Sequence, residues 1–218
     1  MTSKTHYDEK YFKWQKYVGE FGGQANKIKF DEFILESKNQ KVLDFGCGGG
    51  YLLSSYKNIE KYGVEVNNTA VEVAEKNGCK VFKSSKDLPD NFFDTIISNM
   101  ALEHCDNPFL ELKELYRSLK VNGKICIVVP CDNIKYKYNE KDPHKHLYSW
   151  SPSNLGNILN TAGFKVVESR PFLFKWFPYR YRIKKYISWS MFHFLSKIWS
   201  RFDNSWYQIR AIGTKIEN

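Results

Sequence analysis

Several features that would assign a chain quickly are missing here. No apolar run follows Met1-Thr2-Ser3-Lys4-Thr5-His6, so a secretory leader is not expected. The 5 cysteines (Cys47, Cys79, Cys105, Cys126, Cys131) are scattered, odd in number and without a Cys-x-x-Cys pair. In a chain of 218 residues that argues against a disulfide scaffold and for reduced, cytoplasmic residence. Repeats and low-complexity linkers are absent. No clustered set of His, Asp and Glu reads as a metal site, so no metal is expected. Acid is scarce toward the C-terminus: from Lys165 to Asn218 there are 11 Lys and Arg against 3 Asp and Glu, a local +8 in a chain of net +9. A basic end of that kind points to an anionic partner: a membrane surface, a phosphate-bearing substrate or a nucleic acid.

What remains fits one α/β domain with decoration, and 42% apolar residues suffice for its core. The most telling stretch is Val42-Leu43-Asp44-Phe45-Gly46-Cys47-Gly48-Gly49-Gly50. Apolar residues around one aspartate predict a short buried strand running into a glycine-rich turn, and Tyr51-Leu52-Leu53 opens a helix. Glycine lets the backbone approach a ligand closely, and the helix N-terminal amides face that ligand. The spacing Gly46-x-Gly48-x-Gly50 is followed by Tyr51, where a dinucleotide fingerprint wants Gly or Ala. Asp44 would repel a pyrophosphate but suits a ligand with a cationic end.

Strands are expected at Lys41–Phe45, Lys61–Val66, Lys80–Phe82, Phe93–Asn99, Lys124–Val129, Phe164–Glu168 and Trp206–Lys215. Helices are expected at Tyr51–Tyr56, Thr69–Asn77, Pro108–Leu119 and Pro152–Ala162, the last capped by Ser151 and stopped at Gly163. Ahead of them, Tyr7, Tyr11, Phe12, Trp14 and Tyr17 suggest an N-terminal helix ending near Gly19. Gly22-Gly23 reads as a break, and Lys27–Ser37 as a second helix. The order predicts a doubly wound, mostly parallel sheet.

With these motifs in this order, the sequence resembles the class I S-adenosylmethionine (SAM)-dependent methyltransferases. Val42–Gly50 resembles their first motif and Gly63-Val64-Glu65-Val66 their second. Phe92–Asn99 resembles the fourth strand, Ala101-Leu102-Glu103-His104 the loop after it, and Leu119–Ile125 the turn before strand five. The resemblance spans about residues 40–168 and implies a Rossmann-like α/β sheet of seven strands with the last antiparallel. It organises the chain as 1–39 helical cap, 40–168 cofactor core, 169–205 helical insertion and 206–218 last strand and tail. SAM is the implied cofactor, with Asp44, Gly46, Cys47, Gly48, Glu65, Asn99 and His104 at its site. Glu65, 19 residues after Gly46, can accept hydrogen bonds from both ribose hydroxyls. Ser84 to Asp87 match the loop that usually meets adenine, with no diagnostic residue.

Methylating a hydroxyl needs a base. His104, His144 and His146 are the candidates. The segment Asp142–Trp150 resembles a subgroup of small-molecule methyltransferases, many acting in sugar and surface-polysaccharide pathways, and His146 fits its position best, beside His144. His104 is read rather as shaping the cofactor pocket. The strand-four ending Ser98-Asn99-Met100-Ala101 differs from Asn-Pro-Pro-Tyr, against amino-methyltransferases of adenine or glutamine. The implied acceptor is a sugar, a glycan intermediate or a lipid-linked small molecule. A quinone-like lipid, an RNA, or a non-catalytic SAM-binding partner subunit are the alternatives.

Pro171–Arg210 holds 14 of the 36 aromatic residues, and 8 Lys and Arg against the single acid Asp203. Ile183, Ile187, Met191, Phe194, Ile198 and Phe202 recur at helical spacing, opposite Lys185, Ser196, Lys197 and Ser200. Its longest uncharged run, Tyr186–Ser196, is 11 residues, too short to span a bilayer. The segment is read as a lid, as a peripheral contact with the inner face of a membrane, or as a site for another chain or a nucleic acid. Nucleic acid is the least favoured, because no RNA-binding module accompanies it. Oligomeric state is not legible.

Overall fold

The computed structural model describes residues 18–36, 39–132, 135–142, 144–203 and 205–217. The aromatic residues between Tyr7 and Tyr17 lie outside the described residues. Seven strands form one sheet: β1 (Lys41–Phe45), β2 (Glu60–Val64), β3 (Lys80–Phe82), β4 (Phe93–Asn99), β5 (Leu119–Cys131), β6 (Lys165–Phe172) and β7 (Tyr207–Thr214). Their spatial order is β3-β2-β1-β4-β5-β7-β6. The first five run parallel, and β7 lies antiparallel to both β5 and β6. The strand order reverses between β1 and β4, which opens a crevice beyond their carboxyl ends.

The helices are α1 (Gly19–Asn26), α2 (Tyr51–Ser54), α3 (Asn68–Lys76), α4 (Pro108–Ser118), α5 (Pro152–Ala162), α6 (Arg180–Ile183) and α7 (Trp189–Phe202). Alternation along the strands sends side chains to two cores. Leu43, Phe45 and Ile96 pack with Leu112 and Leu115 of α4 and Leu155 and Leu159 of α5. Val42, Ile97 and Val128 pack with Leu52 and Leu53 of α2 and Ala74 of α3. Local chemistry sets the helix ends. Asn107 accepts from the Leu110 amide ahead of Pro108. Ser151 and Asn154 form a reciprocal capping box, and Gly163, at φ +115°, closes α5.

Three expectations are corrected. Gly22-Gly23 does not break a helix but lies inside α1, because the glycines let α1 close onto α2: a Cβ on Gly23 would stand 2.2 Å from the Tyr51 carbonyl oxygen. Among the described residues of the segment expected as a helix over Lys27–Ser37, no α-helix forms; the chain makes a 3-10 turn at Lys27–Lys29 and then turns through Phe33. Its Phe30, Phe33 and Ile34 are buried against the sheet from turns rather than from one helical face. Finally, β5 begins at Leu119 rather than Lys124, and β6 runs on to Phe172, four residues past the expected end at Glu168. The early start of β5 is held by Leu119 facing Phe93 of β4, and the long β6 by antiparallel pairing with β7, whose Gln208 faces Phe172.

The insertion folds against α1. Ala25, Phe174, Phe177 and Phe192 form a third apolar cluster with Phe21, Trp176, Trp189 and Trp199 around it. Much of the apolar stripe faces outward along α7. Ser196 and Ser200 are buried beside Phe192, whereas Met191, Phe194 and Phe202 are 48%, 57% and 74% exposed. The inner face of α7 carries Phe192 with the partly buried Leu195 and Trp199, and Ser196 and Ser200 on the same face let the backbone come close, bringing the Ser196 carbonyl toward the Lys175 amide. The helical run is also interrupted, with Ile187 in extended conformation between Tyr186 and Trp189.

Candidate functional site

The loops beyond β1, β4 and β5 surround a cavity of about 510 Å³. On one side are Asp44 at the end of β1 and the turn Gly46, Cys47, Gly48 and Gly49. Gly46 adopts φ +78°, and a Cβ there would lie 2.3 Å from that of Ala101, so no other residue fits. Asp44 is 3% exposed, and its Oδ1 has no hydrogen-bond partner among the described residues. Burial, reinforced by the nearby Glu65 charge, pushes its carboxyl up to about 8. A buried, partnerless carboxylate beside a glycine-rich backbone is an environment completed by a cation.

Glu65 follows β2 directly. Its Oε2 accepts from the Gly48 amide at 2.9 Å and its Oε1 from the Asn67 amide at 2.8 Å, so it braces the glycine turn. It does not line the cavity itself, and neither does the Ser84–Asp87 segment. Each carboxylate oxygen of Glu65 can accept a second bond.

Across the cavity stand Asn99, Met100, Glu103, His104, Asp132, His144 and His146. Asn99 accepts a hydrogen bond from Lys29 at 2.8 Å. Lys29 is 3% exposed, and burial lowers its ammonium to about 7. Met100 takes φ +56°, a left-handed conformation uncommon for its type, at the point where the chain leaves β4 for the site. A 3-10 turn at Leu102–His104 then buries Glu103 completely, with neither carboxylate oxygen hydrogen-bonded among the described residues. Burial pushes that carboxyl up to about 8 as well.

The backbone of the same residue anchors the histidine loop. The Glu103 carbonyl accepts from the Leu147 and Tyr148 amides at 2.9 and 3.3 Å. His146 is thereby brought to His104, their ring centroids 5.0 Å apart, with the His144 ring 5.5 Å beyond. His146 Nδ1 lies 3.8 Å from Asp132 Oδ1, and His104 Nε2 lies 3.9 Å from Glu103 Oε1. Burial lowers the pKa of His146 and the Asp132 carboxylate opposes it, so the imidazole is biased toward the neutral, proton-accepting form.

The structure thus gathers Asp44, Gly46, Cys47, Gly48, Asn99, His104, His144 and His146 around one cavity, with Glu65 behind the turn. Sequence reasoning missed Lys29, Asp132 and the wall formed by Gly19, Gly22, Gly23 and Asn26 of α1; the insertion, read as a lid, adds Trp176 to that wall, and Trp206 just before β7 joins it. Glu103 was visible in the Ala101–His104 motif, but nothing local marks it as buried without a partner. No set of metal-type residues was expected either; the loops bring Glu103, His104 and His146 together so that one ligand atom from each lies within 4.8 Å of the others.

A family model described as a methyltransferase domain matches residues 18–169, more than half of the chain. Phosphoethanolamine N-methyltransferase 3 of Arabidopsis thaliana is 27% identical over 126 residues, 52% of this chain and 26% of that protein. The ubiquinone biosynthesis O-methyltransferase of Idiomarina loihiensis is 26% identical over 125 residues, 52% of this chain and 51% of that protein. The chain therefore spans well under two thirds of the length of either relative. Among solved structures, a SAM-dependent methyltransferase from Archaeoglobus fulgidus superposes with a TM-score of 0.66 at 22% identity, covering 95% of this chain and 100% of that one.

Proposed function

The chain belongs to the methyltransferase-domain family, and on that premise we propose that it moves a methyl group from SAM to an oxygen of a small acceptor, a sugar, glycan intermediate or lipid-linked molecule. The observation that carries this reading is one cavity with a partnerless buried carboxylate and glycine turn on one wall and a histidine cluster on the other. SAM supplies a methyl carbon on a sulfonium, from which a neutral thioether departs.

The chain's own residues do the rest. Asp44 faces the cationic end of the cofactor. Gly46, Cys47 and Gly48 present backbone to it, and Glu65 holds that turn from behind through the Gly48 amide. Asn99 and His104 shape the pocket between the two walls. His146, backed by Asp132 and with His144 beside it, takes the proton that an acceptor hydroxyl gives up. The α1 and Trp176 wall excludes water and holds the acceptor in line, the arrangement from which methyl transfer gains most of its rate.

The relatives' named substrates keep a phosphoethanolamine-like amine and a quinone-like lipid in view as acceptors. The imidazole cluster favours an acceptor that must lose a proton. A lipid-linked acceptor is further favoured by the exposed face of the insertion, where Tyr186, Phe194 and Phe202 stand out beside exposed Arg182, Lys185, Lys197 and Arg201. No helix of the described residues is long and apolar enough to cross a membrane, so contact through this face is peripheral.

The test is calorimetric titration with S-adenosylhomocysteine of wild type, Asp44→Ala and Glu65→Ala. Saturable binding that is lost in both folded variants supports the site. A folded, ligand-free wild type that binds neither SAM nor its product removes the reading. Acceptor pools are then screened with methyl-labelled SAM.

A further inference from the structure

We propose that Glu103, His104 and His146 form a binding site for a divalent transition-metal cation on the acceptor side of the cavity. Two observations point there independently. The first is geometric: one ligand atom of each residue lies within 4.8 Å of the others, and all three line the same cavity. A cation with bonds of about 2.0–2.2 Å to imidazole nitrogen and carboxylate oxygen draws such atoms to within about 3–3.5 Å of one another. Small side-chain rotations close that difference. The second is a deficit. The Glu103 side chain is fully buried, and neither of its oxygens has a hydrogen-bond partner among the described residues. A bound cation satisfies both at once.

The surroundings fit the same role. His146 Nδ1 faces Asp132 Oδ1 at 3.8 Å, which leaves Nε2 for the metal and supplies the carboxylate that commonly orients a ligating imidazole. The paired amides of Leu147 and Tyr148 on the Glu103 carbonyl fix the distance between the two loops that carry the ligands. Two imidazoles and one carboxylate select a borderline cation such as zinc or cobalt over magnesium or calcium, which prefer oxygen. Three protein ligands leave positions open toward the cavity.

The use of the cation rests on the acceptor pocket proposed above. An acceptor oxygen bound at an open position is held and made more acidic. With the cation on His146, His144 is the imidazole left to receive the acceptor's proton.

Metal binding itself is measured without turnover. Untagged full chain, stripped with a chelator and desalted, is titrated with zinc chloride by calorimetry and with cobalt(II) by visible absorption. S-adenosylhomocysteine titration runs in parallel as a check on the folded cofactor site. Wild type is expected to bind zinc stoichiometrically. Glu103→Gln, which keeps the buried shape, and His146→Ala, in the loop after β5, are each expected to weaken zinc binding roughly tenfold or more while still binding S-adenosylhomocysteine saturably, which shows that each is folded. The proposal is overturned if a wild type competent for S-adenosylhomocysteine binds no zinc, or binds it equally in both variants. Zinc bound through these residues without cofactor binding would uphold the metal site while removing the methyltransferase reading.

Discussion

Asp44 is a residue whose function and stability pull in opposite directions. Its carboxyl is held near 8 in the folded chain against an ordinary 3.8, so the folded state keeps a proton that the unfolded state releases. The sign follows from linkage: stability falls as pH rises through that window, and the loss is complete once pH passes the folded value. Asp44→Asn removes the penalty. It is expected to stabilise the unliganded chain at pH 8 by a few kcal/mol, at roughly 1.4 kcal/mol for each pH unit crossed between the two values, while losing SAM affinity. A thermal melt showing no gain at pH 8, or a gain undiminished at pH 4, would count against this account. The same reasoning makes SAM binding release a proton near pH 7, so affinity tightens as pH rises toward 8. Calorimetry in buffers of different ionisation enthalpy counts that proton, and a count of zero would remove Asp44 as the cation's partner. Asp44 and Gly46 were legible because strand, turn and helix are consecutive in the chain. Glu103 and Lys29 were not, because what makes each unusual is burial created by segments far away in sequence.

At the scale of elements, the parallel strands and the capped helices were readable because their signals are local: alternating burial, Ser151 before Pro152, Gly163 after Ala162. Helix α1 was misread because glycine has two uses, as a breaker of helices and as a contact surface. Here Gly19 lies against the Tyr51 ring and Gly23 against the Tyr51 backbone, contacts that only the folded partner reveals. Gly23→Ala sets the two effects against each other. Alanine favours helix over glycine by about 1 kcal/mol. Against that, a Cβ at 2.2 Å from the Tyr51 carbonyl must displace backbone, a strain of about 1–3 kcal/mol. The clash should win, so Gly23→Ala is expected to lower stability in urea denaturation and to weaken cofactor binding, since α1 also walls the cavity. A more stable variant would mean that α1 does not seat on α2 as described. The outward stripe of α7 has the same origin. Periodicity finds an apolar stripe but cannot tell that Phe192, with Ser196 and Ser200, forms the face buried with Phe174 and Phe177.

Over the whole molecule, charge and exposed apolar surface coincide. The last 54 residues, from Lys165, carry +8 of the net +9, and the same region exposes Tyr179, Tyr186, Met191, Phe194 and Phe202. Neither feature suffices alone. Exposed aromatic residues are common singly, and about 1 kcal/mol per basic residue near an anionic surface is screened within a Debye length. Together they add up: burying the exposed parts of Phe194 and Phe202 in the headgroup region contributes roughly 1–2 kcal/mol each on top of the charge term. The chain is therefore expected to co-sediment with vesicles containing anionic lipid, less with zwitterionic ones, and less again as salt rises. Phe194→Ser with Phe202→Ser should reduce co-sedimentation severalfold yet leave folding intact, because both rings are more than half exposed. The inner face of the same insertion places Trp176 on the cavity wall, next in the lining to Trp206 at the start of the last-strand segment. One segment would thus present the outer surface to a bilayer and the inner surface to the acceptor, which is the geometry a lipid-linked acceptor needs. Equal co-sedimentation of wild type and the double variant would separate the two faces, leaving the insertion as a lid over a site that takes its acceptor from solution.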